Sequence, residues 1–330
     1  MRITTKSIMQ GYNQNLNLAL GRWNKAQNQV LTQRNFNTIA EDPASANRAF
    51  QLRRQFRNNA TQLEMTKQTQ SLMDEVTSSA MQISKTITNT VNPNVLKALS
   101  GTNSAAERKT FADTLRGMQQ SIILSANSQV SGRYLFGGAS TREVPFILSE
   151  DGKTLTYRGQ DVNDAAAMEP LTKDTLYVDL GFGLEEKNDA VVNSSAFNAA
   201  TPGINMLGYG KDAKGYSNNV VALLGQMADE LEKESFNEGK FREMVEKFQK
   251  TCVDNITDYE SSLGVKQQFL SGTVTRLEQY NDTLNERITG IEMVDMPEAI
   301  SNYMWQGYAY NAALKVGTNI VSQSLIDFLK

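Results

Sequence analysis

The sequence predicts a mainly α fold: a long α-helical coiled-coil bundle built from both chain ends, with a small β-containing domain inserted in the middle. Three observations carry this. First, apolar residues recur at helical spacing from Phe241 to Ile291, with only Lys266 and Thr273 out of type. The fourteen steps of the seam sum to fifty residues, about 3.57 per step, between the heptad and straight-helix periods. Second, both chain ends carry similar stripes. Third, the composition changes after Gly132, where Gly, Asn and Pro scatter among short apolar runs as far as Asn219.

Taken in order, Ile8, Tyr12, Leu16, Ala19, Trp23, Ala26 and Val30 mark a first helix with a narrow stripe and an Asn/Gln-rich outer face. That face favours helix only weakly, so this helix needs a partner. The stretch Thr32 to Glu41 is polar and breaks the pattern. Asp42-Pro43 then reads as an N-cap with Pro in the first turn, opening a second helix that runs to about Thr90, with Asn92-Pro93-Asn94 as its end. Ser104 and Glu107 have capping-box spacing, ahead of a third helix to about Val130.

Within the insert, Phe146 to Leu148 and Thr154 to Tyr157 flank Glu150-Asp151-Gly152-Lys153, the pattern of a β-hairpin. Leu176 to Leu180 is a further strand candidate. Helical spacing returns at Val221, Leu224, Ala228 and Leu231 and breaks near Asn237-Glu238-Gly239, before the Phe241 seam. Asp295 and Glu298 cap a last helix through Ile300, Tyr303, Gly307, Tyr310, Leu314, Gly317, Val321, Ser324 and Phe328. The expected organisation is a terminal helix pair from 1–32 and 296–330 forming an inner coiled coil, a long helical bundle from 33–135 and 220–295, and an inserted β-rich domain, 136–219.

Composition excludes much chemistry. The 330 residues include no His and one Cys, Cys252. That rules out a Ser-His-Asp triad, a Cys-His dyad, a His-based metal site and an intrachain disulfide. Cys252 lies in the apolar seam and reads as an inert core thiol. Residues 1–60 carry a net charge of +7 and residues 220–300 a net charge of −8. A basic arm for nucleic acid is one reading; with few aromatics there and an acidic counterpart on the same chain, self-pairing is favoured. No apolar run has the length of a cleavable signal or a membrane span, and by ordinary rules such a chain is cytosolic.

Candidate motifs reduce to structure. Gly208 to Gly215 matches neither the dinucleotide nor the Walker spacing and reads as a surface loop. Asp161-Val-Asn163-Asp164 supplies too few ligands for a calcium loop and reads as loop capping. Asp174 and Asp179 are separate solvated acids rather than a glycosidase pair. The two tryptophans, Trp23 and Trp305, are either unrelated core anchors or jointly close the terminal helix pair. No catalytic, cofactor-binding or metal-binding residue is expected, and no enzyme activity.

Four segments carry a resemblance. Ile39-Ala-Glu-Asp42-Pro43-Ala-Ser-Ala-Asn-Arg48 is similar to the acidic-Pro-Ala signature that opens the second helix in the flagellin superfamily. Ser131-Gly132-Arg133-Tyr134-Leu135-Phe136-Gly137-Gly138 resembles the exit from the helical domain in that superfamily's hook–filament junction branch. Tyr308 to Gly317 and Ser324 to Leu329 look like its closing helix. Gln33-Arg34-Asn35-Phe36 stands where a Ser-Gly-Lys/Arg stretch is common, and Pro297 where Ala is frequent.

The resemblance implies a structural subunit of the bacterial flagellum, exported without a cleaved signal by the flagellar type III apparatus and placed outside the cell. Its implied partners are further copies of itself in a ring, the first hook-associated protein, flagellin and an export chaperone, with no nucleic acid and no membrane insertion. The expected assembly interface is on the terminal helices: Tyr12, Leu16, Ala19, Trp23, Val30, Tyr303, Trp305, Tyr310, Leu314, Val321, Leu325 and Phe328. A flagellin and a cytosolic coiled-coil signalling scaffold remain as alternatives.

Overall fold

A computed structural model describes residues 5–99, 104–188, 190–192 and 195–328; the side chains of residues 5, 6, 8, 252, 253 and 319–328 lie outside the description. The thiol expected at Cys252 therefore lies outside the described residues. The chain divides into two compact units, one of residues 1–60 with 278–330 and the other of residues 61–277.

Long helices dominate: α1 (Thr5–Thr32), α2 (Pro43–Thr86), α3 (Asn92–Ala98), α4 (Ala105–Ala126), α5 (Ala165–Thr172), α6 (Ile204–Leu207), α7 (Val220–Glu232), α8 (Glu238–Glu292) and α9 (Met296–Phe328). Between α4 and α6 lie short strands: β1 (Gln129–Val130), β2 (Arg133–Tyr134), β3 (Phe146–Leu148), β4 (Leu155–Tyr157), β5 (Gln160–Asp161), β6 (Tyr177–Val178), β7 (Glu186–Lys187), β8 (Ala190–Val191) and β9 (Phe197–Asn198). They form small antiparallel sheets, β3-β4-β5 and the pairs β1-β2, β6-β9 and β7-β8. Mainly α with a β-containing middle is thus the observed class.

The expected caps operate. Asp42 accepts from Ser45 N at 3.0 Å, and this hydrogen bond holds its carboxyl below the usual range. Ser104 and Glu107 form a complete capping box at the start of α4. In the hairpin, Phe146, Ile147 and Leu148 pair with Tyr157, Thr156 and Leu155, and Gly152 takes the left-handed conformation its turn needs.

Other boundaries move. The second helix does not stop at Asn92-Pro93-Asn94: a π-helical turn, Ile87–Val91, leads directly into α3. Pro93 falls in the first turn of α3, where a missing N–H costs least, and Asn94 Nδ2 donates back to Thr90 O at 2.7 Å. The third helix ends at Ala126, short of Val130, because Asn127 exchanges two hydrogen bonds with the Phe146 backbone, at 2.8 and 3.0 Å. The strand expected over Leu176 to Leu180 shortens to β6, and α5 and α6 had no periodic signal.

The 61–277 unit holds the large core. Val76, Ile83, Leu115, Ile122, Leu223, Leu224, Phe241 and Phe248 come together with Phe136, Phe146 and Tyr157 of the insert. The insert packs on α8: Phe197 stacks on Phe269 at 5.6 Å, and Leu180 joins Met73 and Leu270. The Tyr134–Gly138 motif has a packing reason. Leu135 and Phe136 are buried, and a Cβ on Gly137 would lie 2.0 Å from Ser140 O.

Gly225 in the middle of α7 lies against the Gln119 side chain and the hairpin; a Cβ there would sit 2.7 Å from both Gln119 Nε2 and Gly152 O. Buried Gln119 donates to Gly152 O and Val221 O. An exposed mid-helix Gly→Ala change stabilises by about 0.5–1 kcal/mol. Here the sign reverses: Gly225→Ala is expected to destabilise the protein by about 1–3 kcal/mol, measured by urea unfolding.

Candidate assembly interface

The residue stripes of α1 and α9 bring these helices together as an antiparallel pair. Trp23 stacks between two tyrosines of α9, its ring centroid 6.1 Å from Tyr303 and 5.5 Å from Tyr310, at interplanar angles of 15° and 17°. Tyr12 Oη donates to Ala313 O at 3.2 Å. Glycines allow the approach: a Cβ on Gly307 would lie 3.3 Å from Trp23 Nε1, and one on Gly317 only 2.0 Å from Tyr12 Oη. Each aromatic ring of α1 thus rests beside a glycine of α9. Such stacked pairs add about 0.5–1.5 kcal/mol beyond their area.

The pair is tied at its base by the segment Gln33 to Asn35 and the end of α8. Asn35 N donates to Glu292 O at 2.8 Å and Val294 N to Gln33 O at 3.1 Å. The Asn35 amide donates to Ile291 O and Met293 O, each at 2.9 Å, satisfying carbonyls left open where α8 ends. Gln33 takes a left-handed φ of 58°, unfavourable for a residue with a Cβ. Glu292, nearly buried, pairs with Arg53. Asp295 Oδ1 then accepts from Glu298 N at 3.2 Å and starts α9.

This unit has almost no core of its own. Its described buried apolar residues are Ala26, Ala49, Leu284 and Ala299. Large apolar side chains instead face outward: Leu18 is 60% exposed, Leu31 73%, Trp305 72%, Tyr308 64% and Val316 54%. Each contributes about 1.5–3 kcal/mol when fully buried.

Of the residues expected at the interface, Tyr12, Leu16, Ala19, Trp23, Val30, Tyr303 and Tyr310 lie half-buried on these two helices. Leu314 is largely exposed. Trp305 does not share the contact of Trp23; it points outward, edge-on to Tyr308 at 6.5 Å. Val321, Leu325 and Phe328 lie on the last turns of α9, and their side chains are outside the described residues. Periodicity missed Asn35, whose role rests on backbone partners far along the chain; the polar break before Asp42-Pro43 was its one signal.

The remaining motifs have local roles. Asp174 pairs with Arg158 and accepts from Ala139 N, while Asp179 accepts from Gly181 N. Asp164 caps α5. Asp212 organises the Gly208–Gly215 loop by accepting from the backbone of Lys214 and Tyr216 and from Lys247 Nζ. Among the described residues no group of His, Cys, Asp and Glu is placed to hold a metal, and no helix is long and apolar enough to cross a membrane.

Residues 248–329 match the family model described as the bacterial flagellin C-terminal helical region. No curated protein sequence matches the chain. The fold is shared with solved structures of low identity. A flagellar hook-associated protein from Vibrio parahaemolyticus has a TM-score of 0.52 at 16% identity, covering 77% of this chain and 97% of that one. FlgL from Bacillus cereus has a TM-score of 0.51 at 18% identity, covering 72% and 99%. Flagellar hook-associated protein 3 from Legionella pneumophila has a TM-score of 0.52 at 12% identity, covering 73% and 98%.

Filling the glycine beside Tyr12 tests the pair. Gly317→Ala is expected to displace the Tyr12 ring and speed amide exchange in α1 by about tenfold, equivalent to about 1.4 kcal/mol. Adding Tyr12→Leu is expected to restore protection, measured by hydrogen–deuterium exchange of the full chain.

Proposed function

We propose that this protein is a structural subunit of the bacterial flagellum that joins the hook-associated region to the flagellin filament. The observation that carries this is the exposed apolar surface of the α1/α9 pair, on a unit with four described buried apolar residues. A surface of that kind marks a contact with other chains. The shared fold of the hook-associated proteins and the match to a flagellin C-terminal region support the same reading.

In this reading the 1–32 and 296–330 helices form an inner layer, the 33–135 and 220–295 segments an outer bundle, and 136–219 an insert. Copies associate head to tail in a closed ring, between the first hook-associated protein on one side and flagellin on the other. An export chaperone covers the apolar helices before assembly, and the chain leaves the cell without a cleaved signal. The protein acts by packing, not catalysis.

The flagellin match favours a second reading, the filament subunit itself. Copy number separates them: a junction component is present in few copies per flagellum, a filament subunit in many.

Deleting residues 320–330 is expected to leave hooks in place but no filaments, with flagellin shed into the medium, scored by electron microscopy and by blotting the culture fluid. Normal filaments on that strain would contradict the assembly role. Limited proteolysis of the free chain is expected to cut before about residue 32 and after about residue 295 first; full protection of both ends in a verified monomer would contradict conditional ordering of the pair.

A further inference from the structure

The corner between α1 and α2 holds a groove open to solvent. Phe36, Ile39, Ala46 and Phe50 line it with Arg34 and Arg53, around a volume of about 210 Å3, room for a large apolar side chain. Ile39 is 74% exposed and Phe50 62%, so most of their apolar surface still faces water. The carboxylates at the groove are engaged: Glu292 pairs with Arg53, and Glu41 accepts from Asn37 N and Thr38 Oγ1. Arg34 and Arg54 are exposed and have no ion pair among the described residues. Arg54 stands one turn beyond Phe50 on the same face of α2. The groove is therefore apolar with a cationic rim.

The insert carries a surface of the matching kind. In the run Phe182-Gly183-Leu184-Glu185-Glu186 the Phe is 41% exposed and the Leu 47%, and both acids are exposed. Gly181 and Gly183, at left-handed φ of 84° and 79°, flank Phe182, whose ring packs beside Phe269 and beneath Arg276. Glu185 pairs with Lys187; Glu186 has no ion pair among the described residues. Residues two apart in extended chain are separated by about 6.6 Å, and residues four apart on a helix by about 6 Å along its axis. Leu184 and Glu186 thus have the spacing of Phe50 and Arg54.

We propose that the groove of one copy receives the Phe182–Glu186 loop of a second copy, with Leu184 against Phe50 and Ile39 and with Glu186 beside Arg54. The occupant is chosen by charge and by exposed apolar surface: a cationic rim meets an acidic loop that has a Leu to bury. The two surfaces are different parts of the chain, so the contact is heterologous and repeats head to tail. The inference rests on the head-to-tail association proposed above and names where it occurs.

The test uses two full-length chains on a Cys252→Ser background, co-expressed in cells lacking the wild-type chain. One carries Asn47→Cys beside the groove, the other Lys187→Cys beside the loop, and intact flagella are treated with a short bismaleimide. A 47–187 adduct, identified by mass spectrometry, can form only between copies and is expected to outnumber 47–47 and 187–187 adducts. Arg54→Glu in the first chain, or Glu186→Arg in the second, is expected to lower its yield about threefold to tenfold, and the two together to restore it. If either reversal alone blocks assembly, recovery of flagella with both supports the contact and continued failure overturns it. Absence of the 47–187 adduct, a yield indifferent to both reversals, or capture of a different protein by the Asn47→Cys chain would overturn the proposal. A Trp305→Cys chain treated alongside shows how far such a failure reaches. Copy-to-copy adducts from that chain leave the subunit reading standing without this contact, and their absence removes the head-to-tail reading as well.

Discussion

The structure depends on one constraint: the apolar seam of α8 has to be covered. Phe241, Val245, Phe248, Ile256, Leu263, Leu270 and Leu277 are all buried, so the 61–277 unit resembles the interior of an ordinary domain. It achieves this by combining helices with the insert, whose Phe136, Phe146 and Tyr157 enter the same core. The Tyr157 hydroxyl donates to Phe136 O at 3.0 Å, so its burial leaves no polar group unmatched. Further along the same helix, Tyr280 is exposed while Ile288 and Ile291 are only half-buried. Beyond Leu277 only Leu284 of the seam is fully buried, so the seam continues in sequence while its cover thins.

That difference is what gives the terminal unit its character. A pair of helices held by aromatic rings beside glycines, by Asn35 on the end of α8 and by an Arg53–Glu292 ion pair has a defined register without a core. Register without burial is a workable design for a subunit whose apolar surface is completed by its neighbours. In the proposed assembly the cost of ordering such helices is offset when neighbouring chains cover them, which would make ordering and assembly one event.

Much of this was legible from periodicity. The 3.6-residue stripes located α1, α2, α4, α7, α8 and α9, because long helices repeat one signal many times. The Asp42, Ser104 and Asp295 caps were readable for the same local reason. What escaped were features set by contacts distant in sequence. The π turn at Ile87–Val91 allowed a helix to pass Pro93, Asn127 left its helix to bond Phe146, and Asn35 closed a link to residues far along the chain. At the candidate interface the stripe identified the helices but not which aromatic faces which way. Trp23 and Trp305 look alike in sequence, yet one is stacked inside the pair and the other lies outside it.

The central claim is that the outward apolar face of the α1/α9 pair contacts other subunits. The most direct measurement replaces Trp305 with a photoactivatable phenylalanine analogue and irradiates intact flagella. The account predicts covalent adducts of this chain with a second copy or with a neighbouring flagellar protein, in high yield and dependent on assembly. Intact, functional flagella that give no intermolecular adduct at this position would contradict it.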